Sequence, residues 1–258
     1  MPGLDARRYG ASEHPPDFAA HGKTAIFSEI TRADATLIID VAAKTATVKA
    51  RMEIAIHQPK GGSPVLDVVP ATAKFVTVDH GQKVALRVVT SPDGKSTMRM
   101  VDAKLLQGKH TLDFDEYALK EGRSDYNNTF IEGIDFTKGF EFLTDQDDLP
   151  PRSFTERYFP SGFECDRYPF TVTVKILNAT AAQKPDVIAY AKKEVSPDGR
   201  SFKISFPANY NTSSWFLHVI DRNTWAFATG EYKSIDGRTI PSAPTPTRRP
   251  TRTWRSRT

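Results

Sequence analysis

The sequence contains one cysteine, Cys165, and therefore cannot form a disulfide within the chain. It has no run of about 18 apolar residues, so we expect no membrane-spanning helix. The first residues, MPGLDARRYGASEHPPDF, lack an apolar core that could serve as a secretory signal. Together these features predict a cytoplasmic protein without a membrane span.

Motifs of several common chemistries are also missing. There is no G-x-S-x-G serine motif and no phosphate-binding G-x-G-x-x-G or G-x-x-x-x-G-K-[ST] loop. None of the six histidines has a second histidine three to five residues away, as a local zinc pair would require. The acidic segment around Asp145, Asp147 and Asp148 resembles the start of a calcium loop, but it lacks the glycine and the distal glutamate. We interpret this segment as a solvated loop, and the chain has no recognisable reaction centre.

Positive charge is concentrated at the C-terminal end. The chain carries a net charge of +4, and residues 242–258 contain five arginines and no acid. Without these five charges, residues 1–241 carry a net charge of −1. A segment of Arg, Thr and Pro without apolar periodicity is typical of a disordered tail. The alternative is binding of this tail to nucleic acid or an anionic surface, although nucleic acid is not the expected partner.

Alternation of apolar and polar residues dominates the rest of the chain. In Thr45–His57, every second residue from Ala46 to Ile56 is apolar, and the residues between them are polar except Ala55. A period of two is typical of a strand with one buried face. Similar short segments recur along the chain, and no convincing helix interrupts them. The sequence therefore predicts an all-β fold of antiparallel layered sheets or a β-sandwich.

Turn motifs and composition divide the chain further. The motif SPDG occurs at 91–94 and again at 196–199. Proline and glycine favour the backbone angles of a tight turn, so each motif is predicted to be a hairpin tip.

Residues 1–25 are predicted to be a flexible lead-in, 26–241 a single β-rich domain and 242–258 the tail. The predicted strands are 36–41, 45–57, 65–69, 74–79, 83–89, 96–101, 110–115, 169–177, 186–191, 201–206, 214–220 and 225–232.

Five segments occur in an order that is similar to one known family. They are DATLIIDVAAKTATVKARMEIAI (34–56), PVLDVVP (64–70), LLQGKHTLDFDEYA (105–118), FTERYFPSGFECDRYPFTVTVKI (154–176) and SSWFLHVIDRNTWAFATGEYKSIDGRTIP (213–241). Together they resemble the N-terminal, saddle-like β domain of aminopeptidase N-type zinc metallopeptidases. The resemblance spans residues 30–241 and implies the same all-β fold.

The fourth segment carries the most detailed implication. In the family this segment is a structural corner, in which a Phe-Pro turn reverses the chain and an Asp caps the turn. The sequence departs from the family pattern in two places, because Thr155-Glu156 replaces an Ala and extra residues follow the Phe-Pro pair. We expect Phe170 to point inward after the corner and Cys165 to be a packing residue. The corner residues implied by the resemblance are Arg157, Phe159, Pro160, Asp166 and Pro169.

The resemblance also implies a substrate contact without catalysis. In the family, a Gln or Glu upstream of the corner helps to hold the free amino group of the peptide. Gln146 is the first candidate for this contact, and Glu141 and Glu156 are the alternatives. The family's G-x-M-E-N and H-E-x-x-H motifs are missing from this sequence. We therefore expect no cofactor in this chain, since zinc would belong to a catalytic domain.

Two functions follow from these observations. The leading hypothesis is a non-catalytic β-domain of a truncated or split zinc aminopeptidase, which would act as scaffold and substrate-side wall. A catalytic domain would be its partner, and a peptide would be a substrate only when that domain is supplied. The alternative is a stand-alone protein-interaction module. Its exposed apolar face would include Trp215, Phe216, Trp225 and Phe227.

Overall fold

The computed structural model of this chain consists of strands joined by turns and loops. The residues that it describes are 16–66, 72–92, 94, 97–119, 123–124, 131–137, 139–143, 146–148, 151–153, 158–162, 166–210, 215–228, 230–241 and 245–248. The first twelve strands are β1 (Phe18–Ala20), β2 (Lys23–Phe27), β3 (Glu29–Asp40), β4 (Thr45–Ile56), β5 (Ser63–Leu66), β6 (Phe75–Val78), β7 (Gln82–Thr90), β8 (Thr97–Val101), β9 (Gly108–Ala118), β10 (Arg123–Ser124), β11 (Ile131–Asp135) and β12 (Glu141–Leu143). The others are β13 (Gln146–Asp148), β14 (Pro151–Ser153), β15 (Phe170–Leu177), β16 (Pro185–Ala189), β17 (Lys192–Val195), β18 (Ser201–Phe206), β19 (Leu217–Asp221), β20 (Trp225–Ala228), β21 (Glu231–Lys233), β22 (Thr239–Pro241) and β23 (Thr245–Arg248).

The described part of the chain contains no helix, which confirms the predicted all-β fold. No helix there has the length and hydrophobicity needed to span a membrane. Most strands join one sheet of twelve, in the order β1-β2-β5-β8-β7-β6-β9-β4-β3-β15-β18-β17. A second sheet has the order β10-β11-β12-β19-β16, and three two-stranded sheets complete the described strands.

Pairing in the large sheet is antiparallel except at two places in the described residues. Strand β15 runs parallel to β3, and β2 runs parallel to β5. Parallel neighbours require a long crossover connection, which alternation within a strand cannot reveal. The large sheet is therefore mixed, and antiparallel pairing predominates in it.

The long hairpin of β3 and β4 is the centre of the large sheet. Along β4 the buried residues are Ala46, Val48, Ala50, Met52, Ile54 and Ile56. This is the face that alternation in the sequence predicts. Since successive side chains of a strand point to opposite faces, one correctly placed residue fixes the phase of all the others.

The two sheets share one hydrophobic core. Leu37 of β3 and Val172 of β15 belong to the same buried cluster as Phe142 of β12 and Leu217 of β19. The large sheet and the five-stranded sheet thus bury apolar residues against each other, as the predicted layered arrangement requires. A smaller cluster lies at the β1 end of the large sheet and includes Phe27, Val65 and Met98.

Both SPDG motifs form hairpin tips, as predicted. The Gly94 amide donates to the carbonyl of Ser91, and the Gly199 amide donates to that of Ser196. Gly94 has a φ of 72° and Gly199 one of 66°, in the left-handed region that glycine adopts most readily. The first tip joins β7 to β8, and the second joins β17 to β18.

The ends of the domain differ from the boundaries that composition suggested. Residues 18–20 and 23–27, largely assigned to the lead-in, form the β1–β2 hairpin, where Ala25 and Ile26 are fully buried. At the other end, Thr245–Arg248 of the predicted tail pairs with Trp225–Ala228. These strands have only three to five residues, so composition alone gives a weak signal for them.

Candidate functional site

A buried histidine and a buried carboxylate meet in the five-stranded sheet. The Nε2 atom of His218 on β19 lies 2.8 Å from Oε1 of Glu141 on β12. Glu141 is opposite Ile220 and His218 is opposite Leu143 in the ladder, so the pair is diagonal on one sheet face. The His218 side chain is 3 % exposed, and the Glu141 side chain is 9 % exposed. The imidazole N–H donates to the carboxylate, which partly compensates for the cost of burying both polar groups.

Aromatic side chains surround this pair. The ring of Trp225 meets the His218 ring edge to face, with centroids 4.9 Å apart. The Phe216 ring lies 6.4 Å from the His218 ring. The Trp225 ring therefore packs against the face of the five-stranded sheet that points away from the shared core. Phe142, the neighbour of Glu141, points to the core face instead.

The three candidates for contact with a peptide amino group are at different places along the chain. Glu141 is buried and hydrogen-bonded to His218. Gln146 lies on β13, where it is opposite Ser153 of β14. Glu156 lies outside the described residues. The role of each residue stays a prediction.

The predicted corner brings together aromatic rings from distant parts of the chain. The Phe159 ring lies edge to face on Phe170, with centroids 5.6 Å apart, and on Phe142 at 6.4 Å. Phe159 and Phe170 are 1 % and 2 % exposed, so the inward orientation expected of Phe170 is confirmed. The ring of Trp215 lies 4.4 Å from that of Phe170. The Phe159 ring of the corner therefore contacts both Phe142 of the five-stranded sheet and Phe170 of the large sheet.

Hydrogen bonds hold the two ends of the corner. The hydroxyl of Tyr117 on β9 donates to the carbonyl of Tyr158, at 2.8 Å. Burial raises the pKa of Tyr117 well above its ordinary value, so this hydroxyl keeps its proton. At the far end, the amide of Ala33 donates to the carbonyl of Pro169, at 3.0 Å, one residue before β15 begins.

Asp166 and Gly162 lie against each other inside the corner. A Cβ atom added to Gly162 would collide with Oδ2 of Asp166 and would lie 2.5 Å from Cδ1 of Ile30. The carboxylate of Asp166 thus occupies the space beside a glycine of the turn. This position is compatible with the predicted cap, which stays a prediction. Arg157 and Cys165 lie outside the described residues.

Three further histidines each lie beside a carboxylate of another residue. His57 bonds to Glu29 at 2.8 Å, His110 bonds to Asp79 at 2.8 Å, and His80 lies 3.1 Å from Asp113. Within the described residues, no group of three or more His, Cys, Asp or Glu side chains could hold a metal ion. Of the acidic segment, Asp147 and Asp148 lie on β13, and Asp145 lies outside the described residues.

The prediction that Trp215 and Trp225 belong to an exposed apolar face is wrong, because both side chains are buried. Trp215 is fully buried and Trp225 is 3 % exposed, because both pack inside the domain. Phe216 is half-buried and stacks on the exposed Tyr190, with centroids 5.0 Å apart.

Sequence reasoning missed His218 as the partner of Glu141. The two residues are 77 positions apart, and their contact depends on the pairing of β12 with β19. The available signal was a histidine within the otherwise apolar run WFLHVI, where a polar residue is expected to find a buried partner.

Comparison with known proteins identifies the fold. The structure is similar to the crystal structure of an M1 zinc metallopeptidase from Deinococcus radiodurans, with a TM-score of 0.50 and 12 % sequence identity over 83 % of this chain. It also matches native leukotriene A4 hydrolase from Saccharomyces cerevisiae, with a TM-score of 0.49 and 10 % identity over 78 % of this chain. No family model matches the sequence, and no curated protein gives a significant match.

These matches concern only part of each neighbour. The chain spans 46 % of the Deinococcus radiodurans protein and 30 % of the yeast protein. A likeness at 12 % identity establishes a shared fold and does not transfer an activity. The fold implied by the five sequence segments is therefore confirmed: this chain has the fold of the N-terminal β domain of M1 zinc metallopeptidases.

Proposed function

We propose that this chain is a non-catalytic β-domain of a zinc aminopeptidase-like protein. In this role it forms a scaffold and the wall beside the N-terminus of a bound peptide, and its partner is a peptidase catalytic domain. The observation that carries the proposal is the fold shared with an M1 zinc metallopeptidase over 83 % of the chain. The sequence contains neither H-E-x-x-H nor G-x-M-E-N, so the partner would supply the zinc-activated water.

The buried hydrogen bond of Glu141 argues against this residue as the peptide contact and leaves Gln146 as the first candidate. Glu141 is buried and accepts a hydrogen bond from His218, so a peptide ammonium group would have to displace that partner. Gln146 follows Glu141 along the chain, on the β13–β14 hairpin. Its side-chain carbonyl is a suitable acceptor for an ammonium N–H group.

The catalytic part of the proposal is tested with the purified full chain. We expect no stoichiometric zinc by elemental analysis and no steady cleavage of aminoacyl p-nitroanilides, since the zinc motif is missing. One zinc per chain together with steady cleavage would refute a non-catalytic role. If a chelator then removed the zinc and abolished the cleavage, the metal site would lie in this chain.

The partner and the peptide wall need a separate experiment. The tagged chain should recover a protein that carries H-E-x-x-H, and the complex should cleave aminoacyl substrates. In that complex, Gln146→Ala should raise KM more than it lowers kcat, because a contact made equally in ground and transition states is lost. Gln107→Ala, at an exposed glutamine elsewhere, is the matched control and should leave both constants unchanged. Equal KM values for the Gln146 and Gln107 variants would refute the contact.

A stand-alone interaction module is the second candidate. The observation in its favour is the stacked pair of Tyr190 and Phe216, because Tyr190 is 60 % exposed. Exposed aromatic side chains are enriched at protein–protein contacts. Binding of a hydrophobic dye that Tyr190→Ser abolishes would support an open face at this pair. Unchanged dye binding in that variant would remove the pair as the site.

A further inference from the structure

The last strand of the five-stranded sheet, β16, has a neighbour on one side only among the described strands. Its pairing with β19 shows which backbone groups face away from the sheet. The Arg222 amide donates to the Lys184 carbonyl at 2.9 Å, so these two residues form a hydrogen-bonded pair of the ladder. Because such pairs alternate along antiparallel strands, the backbone groups of Pro185, Val187 and Ala189 point outward.

An outward row of backbone groups can pair with a strand of another chain. The segment DVIAYA (186–191) favours such pairing, because its only charged residue is Asp186 and it is rich in residues that prefer strands. Tyr190, which follows β16, is 60 % exposed. The β16 edge is therefore a place at which copies of the chain would associate if its backbone groups were free.

Two side chains occupy the outward groups of Val187. Oδ1 of Asp186 accepts a hydrogen bond from the Val187 amide at 2.8 Å, and Nζ of Lys193 donates to the Val187 carbonyl at 2.9 Å. Pro185, the preceding outward residue, has no N–H group to donate. Of the three outward residues, only Ala189 at the end of β16 keeps both groups available for an added strand.

The two side chains also hold each other. Nζ of Lys193 donates to Oδ1 of Asp186 at 2.8 Å, and Nε of Arg222 lies 3.6 Å from Oδ2 of the same carboxylate. The Asp186 side chain is 15 % exposed, and the Lys193 side chain is 35 % exposed. Charge-assisted hydrogen bonds of this kind fix both groups over Val187. Since Lys193 belongs to β17, the contact also joins the edges of the two sheets.

We propose that Asp186 and Lys193 form an autoinhibitory contact, which prevents β16 from pairing with the β16 strand of a second copy of this chain. A pairing strand needs the N–H and C=O groups of Val187, and both are already engaged within the chain. The segment itself supports a second copy as the occupant. Two antiparallel β16 strands centred on Val187 would place each Asp186 opposite Ile188 of the other copy, with no like charges face to face. This role does not depend on the peptidase-like function.

Sedimentation equilibrium of the purified full chain over a range of concentrations tests the proposal. Lys193→Ala frees the Val187 carbonyl and should strengthen self-association about fivefold relative to the wild type, because one hydrogen bond no longer has to be displaced. Lys192→Ala is the matched control, since it removes the same charge from a neighbouring residue that pairs with Glu194. This control should sediment like the wild type. Equal association of the two variants, or wild-type behaviour of Lys193→Ala, would overturn the proposal.

A further substitution locates the association. Ala189→Pro removes an outward N–H group of β16 and no hydrogen bond to β19, so the double variant Lys193→Ala/Ala189→Pro should sediment like the wild type. Amide hydrogen exchange of dilute samples gives an independent readout, in which the Val187 amide should exchange faster in Asp186→Ala than in the wild type. Association that persists in the double variant, or equal exchange rates at Val187, would overturn the proposal.

Discussion

His218 and Glu141 form a buried hydrogen bond of 2.8 Å between neighbouring strands. His57 and Glu29 form a bond of the same length and chemistry, but their side chains are 36 % and 56 % exposed. The described part of the chain thus contains two His–Glu pairs that differ mainly in their contact with water. Burial should decide how much each pair contributes to the free energy of unfolding.

Removal of one partner from the buried pair should be costly. We expect His218→Ala to lower the free energy of unfolding by about 3 kcal/mol, because Glu141 then remains buried without this donor. Glu141→Gln, which keeps an acceptor oxygen, should cost about 1 kcal/mol. His57→Ala should cost less than about 1 kcal/mol, since an exposed pair contributes little. Urea melts of the three variants measure these differences, and equal losses at His218 and His57 would contradict the role of burial.

The corner should depend more on its aromatic ring than on its carboxylate. Phe170→Ala removes a ring that contacts Phe159, Phe206 and Trp215, and it should cost about 3–5 kcal/mol through the cavity it leaves. Asp166→Ala should cost about 1 kcal/mol if the carboxylate caps the turn. Cys165→Ser should be tolerated better than Phe170→Ala. Denaturant melts test this order, and a Phe170→Ala variant as stable as the wild type would contradict the buried position of the ring.

Alternation of apolar and polar residues predicted where the strands lie better than it predicted which strands pair with each other. The phase of β4 follows from its own sequence, because burying Ala46 also buries Val48 and Ile54. The parallel pairing of β15 with β3 joins residues about 140 positions apart, and nothing in either strand encodes it. The four residues of β17 are all exposed, so they carry no buried face to recognise.

The same limit applies to the candidate site. Phe159-Pro160 could be placed in a corner, because that pattern is local to the sequence. The hydrogen bond between His218 and Glu141 could not be predicted, because it requires the register of β12 against β19. The isolated bridge between Gly62 and Leu105 likewise joins two loops that are distant in the sequence.

Asp102 should make the stability of the large sheet sensitive to acid. Hydrogen bonds from Lys23 and then from Arg87 hold the pKa of Asp102 below its ordinary value. A carboxylate with a lowered folded pKa stabilises the fold above its unfolded pKa, near 3.9, and this stability is lost as the pH falls through the folded pKa. Asp102→Asn should therefore be less stable than the wild type at pH 7. The difference should shrink below about pH 4.

Urea melts across the acidic range test this dependence, and Arg87→Ala provides a second measurement. Loss of the Arg87 donor should move the acid transition of Asp102 toward its ordinary pKa without abolishing it, because Lys23 still bonds to the carboxylate. A difference between wild type and Asp102→Asn that stays constant down to pH 2 would contradict a lowered pKa.

Gly162 should tolerate no side chain while Asp166 and Ile30 keep their positions. Gly162→Ala would force the Asp166 carboxylate and the Ile30 methyl group aside, and we expect a loss of about 1–3 kcal/mol in the free energy of unfolding. Gly81→Ala is the matched control, because its new Cβ would meet the Val78 carbonyl oxygen at 3.6 Å, an ordinary contact. Gly81→Ala should therefore leave stability nearly unchanged.

A double-mutant cycle shows whether the Asp166 carboxylate is the obstacle. Once Asp166→Ala removes that carboxylate, Gly162→Ala should cost less than it does in the wild type, leaving mainly the clash with Ile30. Residues in contact have coupling energies of about 0.5–3 kcal/mol, whereas distant residues are additive. A coupling within experimental error of zero would mean that Asp166 does not lie against Gly162 in solution. The cap assigned to Asp166 would then lose its structural basis, because a carboxylate displaced from the turn could not bond to the turn amides.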